Sequence, residues 1–324
     1  MKDTAYLSVS ARIRAMENHL LTPERMERIL RARDDRAVER ILTECGYPAF
    51  DVTSAAAMDA VIRAAREELF EGLKALPNQA MVELFRIQYD YHNLKALLKG
   101  SLEDVKHILM DQGRVDGRAL AEGLREGEPR PGRLGEAAEE GREVLRATRD
   151  PQLMEIALDR WYFRELLETA ERAQSDFLLG YVRLLIDSAN LRTLVRWLRT
   201  GRSPRFLSEV LAEGGEISAR EILAALAGDG GLARLWAATP LKEAAESGAE
   251  ALKGGSLAEF ERLCDNGVKG YLTSARFIPF GEGPVLSYLA ARETEFTNLR
   301  ILLQGRRMGL EERVIRSRLR ESCA

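Results

Sequence analysis

The chain is poor in the residues that carry most chemistry. Of its 324 residues only three are cysteine and three histidine, and aromatics make up 6%. Cys45, Cys264 and Cys323 lie far apart and form no CxxC pair, which excludes a disulfide scaffold and fits a reducing compartment. There is no Gly-Lys dipeptide. A P-loop is thereby excluded, because its lysine must reach the phosphates from the glycine-rich turn. No GxSxG elbow, HExxH or Glu-x-x-His occurs, so the usual serine-hydrolase, zinc-protease and di-iron helix signatures are missing too. His19, His92 and His107 are scattered. The aromatics are too few for base-stacking platforms, and a net charge of -3 gives no electrostatic reason to expect nucleic acid. No apolar run reaches the length of about eighteen residues that a membrane span needs. The nearest, Phe177 to Ile186, is broken by Gly180 and Arg183. The opening MKDTAYLSVSARIRAM lacks a basic start followed by an apolar core, so no signal peptide is expected. No cofactor or metal is expected either.

What is present is helix-forming material. Apolar residues make up 45% and charged residues 31%, the balance of a folded globular chain. Ala, Leu, Glu and Arg dominate, and β-branched alternation is nearly absent. Pro77, Pro151 and Pro284 open three long stretches, the first closing at Gly100 and the third at Gly305. Proline tolerates the first helical turn and glycine the left-handed turn that ends a helix. Within the first stretch Leu84, Ile87, Tyr91, Leu94 and Leu98 recur at helical spacing. The fold class expected is all-α. The region from Gly123 to Gly141, rich in Gly, Glu, Arg and Pro, is expected to be a mobile surface segment or a weak helix.

One phrase occurs three times. Asp90-Tyr91-His92-Asn93-Leu94-Lys95-Ala96-Leu97-Leu98 returns as Asp187-Ser188-Ala189-Asn190-Leu191-Arg192-Thr193-Leu194-Val195 and as Glu295-Phe296-Thr297-Asn298-Leu299-Arg300-Ile301-Leu302-Leu303. The shared pattern is acid-x-x-Asn-Leu-base-x-Leu-aliphatic. The asparagines stand 97 and then 108 residues apart. Weaker echoes flank it. Gln112-Gly113-Arg114-Val115 matches Gly214-Gly215-Glu216-Ile217, and Ile29-Leu30 with Asp35, Ile41 and Pro48 matches Ile222-Leu223 with Asp229, Leu235 and Pro240. The chain therefore divides into three helical units, 1–105, 106–205 and 206–324, each with a long hairpin that carries the motif on its second arm.

On a helix, positions i, i+3, i+4 and i+7 share a face, so Asp90, Asn93, Leu94 and Leu97 stand together with the acid and the amide bordering the apolar stripe. Asparagine competes for backbone hydrogen bonds inside a helix. Its threefold return implies a fixed partner, since a half-buried amide left alone costs about 1–3 kcal/mol. The acid and amide then either lock each unit against its neighbour or line a shared concave surface that meets a partner. The bases Lys95, Lys99, Arg192, Arg196, Arg199 and Arg300 are either the solvated side of amphipathic helices or partner contacts.

Tyr89 through Lys99, Asp187-x-x-Asn190-Leu191-Arg192, and Phe280-Gly281-x-Gly283-Pro284-Val285-Leu286-x-Tyr288-Leu289 with Glu293-x-Glu295-x-x-Asn298-Leu299-Arg300 resemble the C subunit of prokaryotic V/A-type ATPases, whose eukaryotic counterpart is the d subunit. Tyr6 with Ala11-Arg12-Ile13-Arg14 is similar to that family's opening. The resemblance extends over the full length. One departure is Gly283, where the family commonly carries an acid beside the proline. The resemblance implies three similar helical domains in a pseudo-threefold funnel. It implies a non-catalytic socket on the cytoplasmic face of the membrane rotor ring, receiving the central shaft made of the D and F subunits. It implies torque passed between ATP turnover and H+ or Na+ transport. Two other classes compete: a free-standing helical-repeat adaptor, and an all-α enzyme acting on a prenyl or phosphate substrate. The enzyme's one hint is Asp34-Asp35, the start of a DDxxD box whose last position is Val38.

Overall fold

A computed structural model of the chain describes residues 6–74, 76–127, 132–201, 207–227, 231–278 and 281–321. Among them are seventeen α-helices and no strand. The all-α class is thus what the sequence predicts. Contacts divide the chain into two compact units, Met1–Pro77 with Trp236–Ala324, and Asn78–Leu235.

The first unit holds α1 (Leu7–Glu17), α2 (Pro23–Leu30), α3 (Asp35–Glu44) and α4 (Ala55–Gly72). Of the helices numbered in chain order, it also holds the last four: α14 (Lys242–Leu252), α15 (Leu257–Ser274), α16 (Gly283–Arg307) and α17 (Glu312–Arg318). Its axis is α16, against which α1, α2, α4, α15 and α17 pack. That helix is buried nearly all round at its start, where Val285, Leu286, Tyr288 and Leu289 are in the core. Such a helix has no solvent side over those turns. Arg66 of α4 reaches Glu293 of α16 through two bonds of 3.1 and 3.0 Å, and its guanidinium lies over the Phe296 ring.

The second unit holds α5 (Gln79–Lys99), α6 (Leu102–Val105), α7 (Gly117–Glu126), α8 (Arg133–Thr148), α9 (Pro151–Ala173), α10 (Asp176–Arg199), α11 (Leu207–Val210), α12 (Ala219–Ala227) and α13 (Leu232–Leu235). Its centre is α9, which packs on α5, α8 and α10. Met154, Leu158 and Leu166 of α9 are buried with Leu94 of α5 and Leu178, Val182 and Leu194 of α10. Truncating Met154 or any one of these leucines to alanine would cost about 2–5 kcal/mol.

Most local signals act as the sequence predicts, although α5 starts at Gln79, two residues after Pro77, and Gly100 ends it in an extended and not a left-handed conformation. Thr22 caps α2 ahead of Pro23, Asp150 caps α9 ahead of Pro151, and Asp34 caps α3 by accepting the Ala37 N–H at 2.8 Å. Asp34 is therefore a helix cap. The long stretch opened by Pro284 overshoots its expected end at Gly305 and stops at Arg307, because Gly305 packs against Ile315 of α17 instead of breaking the helix. The described part of the stretch from Gly123 to Gly141 is the end of α7, a left-handed stop at Gly127, the non-helical Gly132 and the start of α8. Alanine and glycine let α8 lie close: Ala137 and Ala138 are fully buried, and a Cβ on Gly141 would stand 2.9 Å from Leu98. Residues 128–131, with Asp229, Phe280 and Cys323, lie outside the described residues.

Candidate functional site

The three motif asparagines make the same pair of bonds. Asn93 gives its amide N–H to the Met110 carbonyl at 2.8 Å and accepts the Met110 N–H at 2.8 Å. Asn190 does this to Ala212 at 2.8 and 2.8 Å, and Asn298 to Arg320 at 3.0 and 2.8 Å. Each amide therefore closes a ring with the N–H and the C=O of one residue, using its oxygen and one of its N–H groups. All three are buried, at 0–1% exposure. The partner residue lies 17 residues on in the first copy and 22 in the others.

The motif acids hold a second point. Asp90 accepts the Val115 N–H at 3.1 Å, and Asp187 accepts the Glu216 and Ile217 N–H groups at 3.2 and 3.2 Å. Glu295 accepts the Leu21 N–H at 2.8 Å and the Tyr47 hydroxyl at 2.5 Å. In each copy one residue whose N–H is held stands directly before a helix cap. Val115 precedes Asp116, the cap of α7; Ile217 precedes Ser218, which shares a capping box with Glu221 at the start of α12; Leu21 precedes Thr22, the cap of α2. The third copy is thus completed by the beginning of the chain, 274 residues away from its acid. Glutamate, one methylene longer than aspartate, makes that reach.

The copies differ in how the buried acid is neutralised. Asp90 has Arg114 Nε at 2.7 Å, and Arg114 also reaches Glu165 at 2.7 Å, which in turn accepts the Tyr91 hydroxyl at 3.0 Å. Glu295 has Arg292 at 2.5 Å. Asp187 has no cation among the described residues, because Glu216 stands where the first copy has Arg114. Burial lifts the Asp187 carboxyl to about 6, with its two backbone N–H donors pulling down and the negative Glu216 and Glu221 pushing up. Burial also raises Asp90, against the opposing pull of Arg114.

Glycine shapes the held loops. A Cβ on Gly113 would stand 2.3 Å from Asp90 Oδ1, and one on Gly215 2.1 Å from Asp187 Oδ1. The flanking phrases that echo each other in sequence are therefore the segments the two aspartates grip.

The bases reach helices other than their own. Lys95 pairs with Asp159 of α9 at 2.5 Å, Lys99 with Glu155 of α9, and Arg300 with Asp59 of α4 at 3.1 Å. Arg192, Arg196 and Arg199 follow one another down α10, the first half-buried and the others exposed, and each takes part in an interaction within the chain. Among the described residues no group of three or more His, Cys, Asp or Glu could hold a metal ion, and no helix is long and apolar enough to cross a membrane.

A model of the ATP synthase (C/AC39) subunit family matches residues 9–318. The chain belongs to that family. It is 23% identical to the C subunit of the V-type sodium ATPase of Enterococcus hirae, over 98% of each chain. It is 26% identical to the C subunit of the A-type ATP synthase of Thermococcus kodakarensis, over 97% of this chain and 90% of the relative. It is also 26% identical to the corresponding A-type ATP synthase C subunit of Haloferax volcanii, over 96% of each. This family member is a subunit of a rotary ATPase complex. Its departure at Gly283 has a local cause: a Cβ there would meet the Ala275 carbonyl at 2.7 Å and Ile278 Cβ at 2.6 Å, so the turn before α16 closes only over glycine. Tyr6, part of the family-like opening, donates its hydroxyl to Glu282 at 3.4 Å, beside the same turn.

Sequence reading missed Leu21, Tyr47 and Arg292 as members of the third copy. It also missed Arg86, whose guanidinium donates to the Gln112 carbonyl at 2.9 Å and to the Gly113 carbonyl. A backbone N–H or C=O partner leaves no mark in sequence, since nearly every residue offers one.

Proposed function

We propose that the chain is the non-catalytic central-stalk subunit of a rotary V/A-type ATPase, a socket that links the D–F shaft to the membrane rotor ring and passes torque between ATP turnover and H+ or Na+ transport. The match to the family over residues 9–318 carries this reading. The repeated geometry supports it on physical grounds. A torque coupler must not yield when twisted, and here a buried amide and a buried acid tie each motif helix to a neighbouring segment in all three copies. Interlocked polar bonds of this kind stiffen a core by fixing each helix to its neighbour at a defined point.

In this proposal the motif acids and asparagines are internal struts, and the units 1–105, 106–205 and 206–324 form a funnel with pseudo-threefold symmetry. The exposed Arg196 and Arg199, with Arg192, face the shaft. The chain lies at the cytoplasmic face of the membrane as a peripheral part of the complex. Its partners are the D and F subunits and the ring, with no nucleic acid.

The test is reconstitution. Complexes assembled with and without the chain are placed in vesicles, and ATP-driven ion uptake is measured alongside ATP turnover. The expected result is that uptake requires the chain, that the isolated chain hydrolyses no ATP, and that it captures the D–F pair. Full uptake without the chain would overturn the proposal.

A further inference from the structure

Next to the second copy of the motif is a cavity of about 410 Å³, bounded by one face of α9 and by the segment from α11 to Gly214. From α9 it receives Arg160, Arg164 and Leu167, spaced i, i+4 and i+7 on one face, and from the other side Ser208, Leu211 and Glu213. Leu167 forms the floor: a Cβ on Gly214 would stand 2.3 Å from its Cδ1.

The donors here are unused. Arg160 is half-buried yet makes no ion pair or hydrogen bond among the described residues, and Arg164 only stacks on Trp161, 4.6 Å from its ring centroid. A half-buried guanidinium with five idle N–H groups is uncommon in a folded chain. Backbone donors join them. The N–H groups of Glu213 and Gly214 find no acceptor among the described residues, and Gly214 has φ +99. Successive N–H groups at a left-handed turn form a concavity suited to an anion. Glu213 is the one acid of the lining; it is exposed and engages neither arginine. Two guanidiniums against one carboxylate leave the cavity net positive.

We propose that this cavity is a binding site for a phosphate group, held by the Arg160 and Arg164 guanidiniums, the Ser208 hydroxyl and the Glu213 and Gly214 N–H groups. The inference goes beyond the torque-coupling reading and does not depend on it. Arginine forks match paired oxygens two at a time, which a phosphate group offers and a halide does not. The segment that would close on the anion is the one anchored by Asn190 at Ala212 and by Asp187 at Glu216 and Ile217. Occupancy would therefore bear on the segment held by the second copy of the motif alone.

The experiment uses the full chain, with inorganic phosphate as probe and chloride at matched ionic strength as control. Binding is followed by titration calorimetry and by hydrogen exchange of residues 211–217. The expected result is saturable phosphate binding with slowed exchange in that segment. Arg160→Gln and Arg164→Gln should each weaken binding about tenfold or more, the worth of a charge-assisted bond. Arg118→Gln, an exposed arginine elsewhere in the same unit, should leave affinity unchanged. No saturable binding, or binding that both cavity variants retain in full while melting like the unaltered chain, would overturn the proposal. Equal binding in the Arg118 variant and loss in the other two would sustain it.

Discussion

Replacing Glu216 by arginine should make the chain more stable. In the first copy Arg114 neutralises the buried Asp90 at 2.7 Å; in the second the corresponding residue is Glu216, and Asp187 is buried without a cation among the described residues. The carboxyl of Asp187 is lifted from its ordinary 3.8 to about 6, so the fold favours its neutral form. A tenfold change in proton affinity is worth about 1.4 kcal/mol. Holding Asp187 ionised therefore costs about 3 kcal/mol at neutral pH. That penalty is absent below about pH 4, builds as pH rises to about 6, and is constant above. Arginine at 216 would not recover all of it. Even beside Arg114, burial keeps Asp90 above its ordinary value, and the exchange gives up the surface pair of Glu216 with Arg183, itself worth at most about 1 kcal/mol. The net gain expected is about 1–2 kcal/mol at neutral pH. Urea midpoints of the two proteins, measured from about pH 7.5 down to about pH 4, provide the assay. The variant should unfold at higher urea at neutral pH, and the difference should close as the solution is acidified and Asp187 takes up its proton. A variant no more stable than the unaltered chain at neutral pH, or an advantage independent of pH, would refute the reasoning.

Asn93→Leu, Asn190→Leu and Asn298→Leu should each destabilise by about 2–6 kcal/mol, because the N–H and the C=O of one residue both lose their partner at about 1–3 kcal/mol apiece, with Asn190 at the upper end since Ala212 is buried while Met110 and Arg320 are half-buried; thermal melts matching the unaltered chain would dismiss the paired-bond account. The aspartate variants at these positions keep the acceptor for the N–H but set a carboxylate against the carbonyl, so they should melt no higher than the leucine variants at neutral pH. Gly113→Ala and Gly215→Ala should each cost about 1–3 kcal/mol, since the new methyl would stand within 2.3 Å of the motif aspartate, and a urea midpoint shift measures it. Arg192, Arg196 and Arg199 changed together to glutamate should weaken capture of the D–F shaft in a pull-down while the far-ultraviolet spectrum stays helical; unchanged capture would assign those arginines to the chain's own packing.

How much of this could be read beforehand varies element by element. The helices could, because caps such as Thr22-Pro23 and Asp150-Pro151 and the spacing of Leu84, Ile87, Tyr91 and Leu94 are local signals. The motif could, since a side chain that recurs in one place is visible as letters. The matching phrases around Gly113 and Gly215 were legible as a likeness, though not as the loops that the aspartates hold. The likeness of Ile29-Leu30 to Ile222-Leu223 was misleading in register. The bonds set Thr22 against Ser218, three residues out of step with that pairing. Apolar residues recur every three or four positions on any amphipathic helix, so such a match slips by a turn without penalty.

The sequence by itself determined that this chain is helical, that one acid–asparagine phrase was laid down three times, and that it resembles the C subunits of V/A-type ATPases. These are properties of local spacing and of side-chain identity, and both are written in order along the chain. Only the tertiary structure decided what the phrase grips. It showed that the third copy is completed by Leu21, ahead of the Thr22 cap, from the opposite end of the chain, and that Asp187 lies buried without, among the described residues, the cation its counterparts have. Those outcomes depend on which backbone groups and charges meet in space, and a backbone N–H carries no letter of its own.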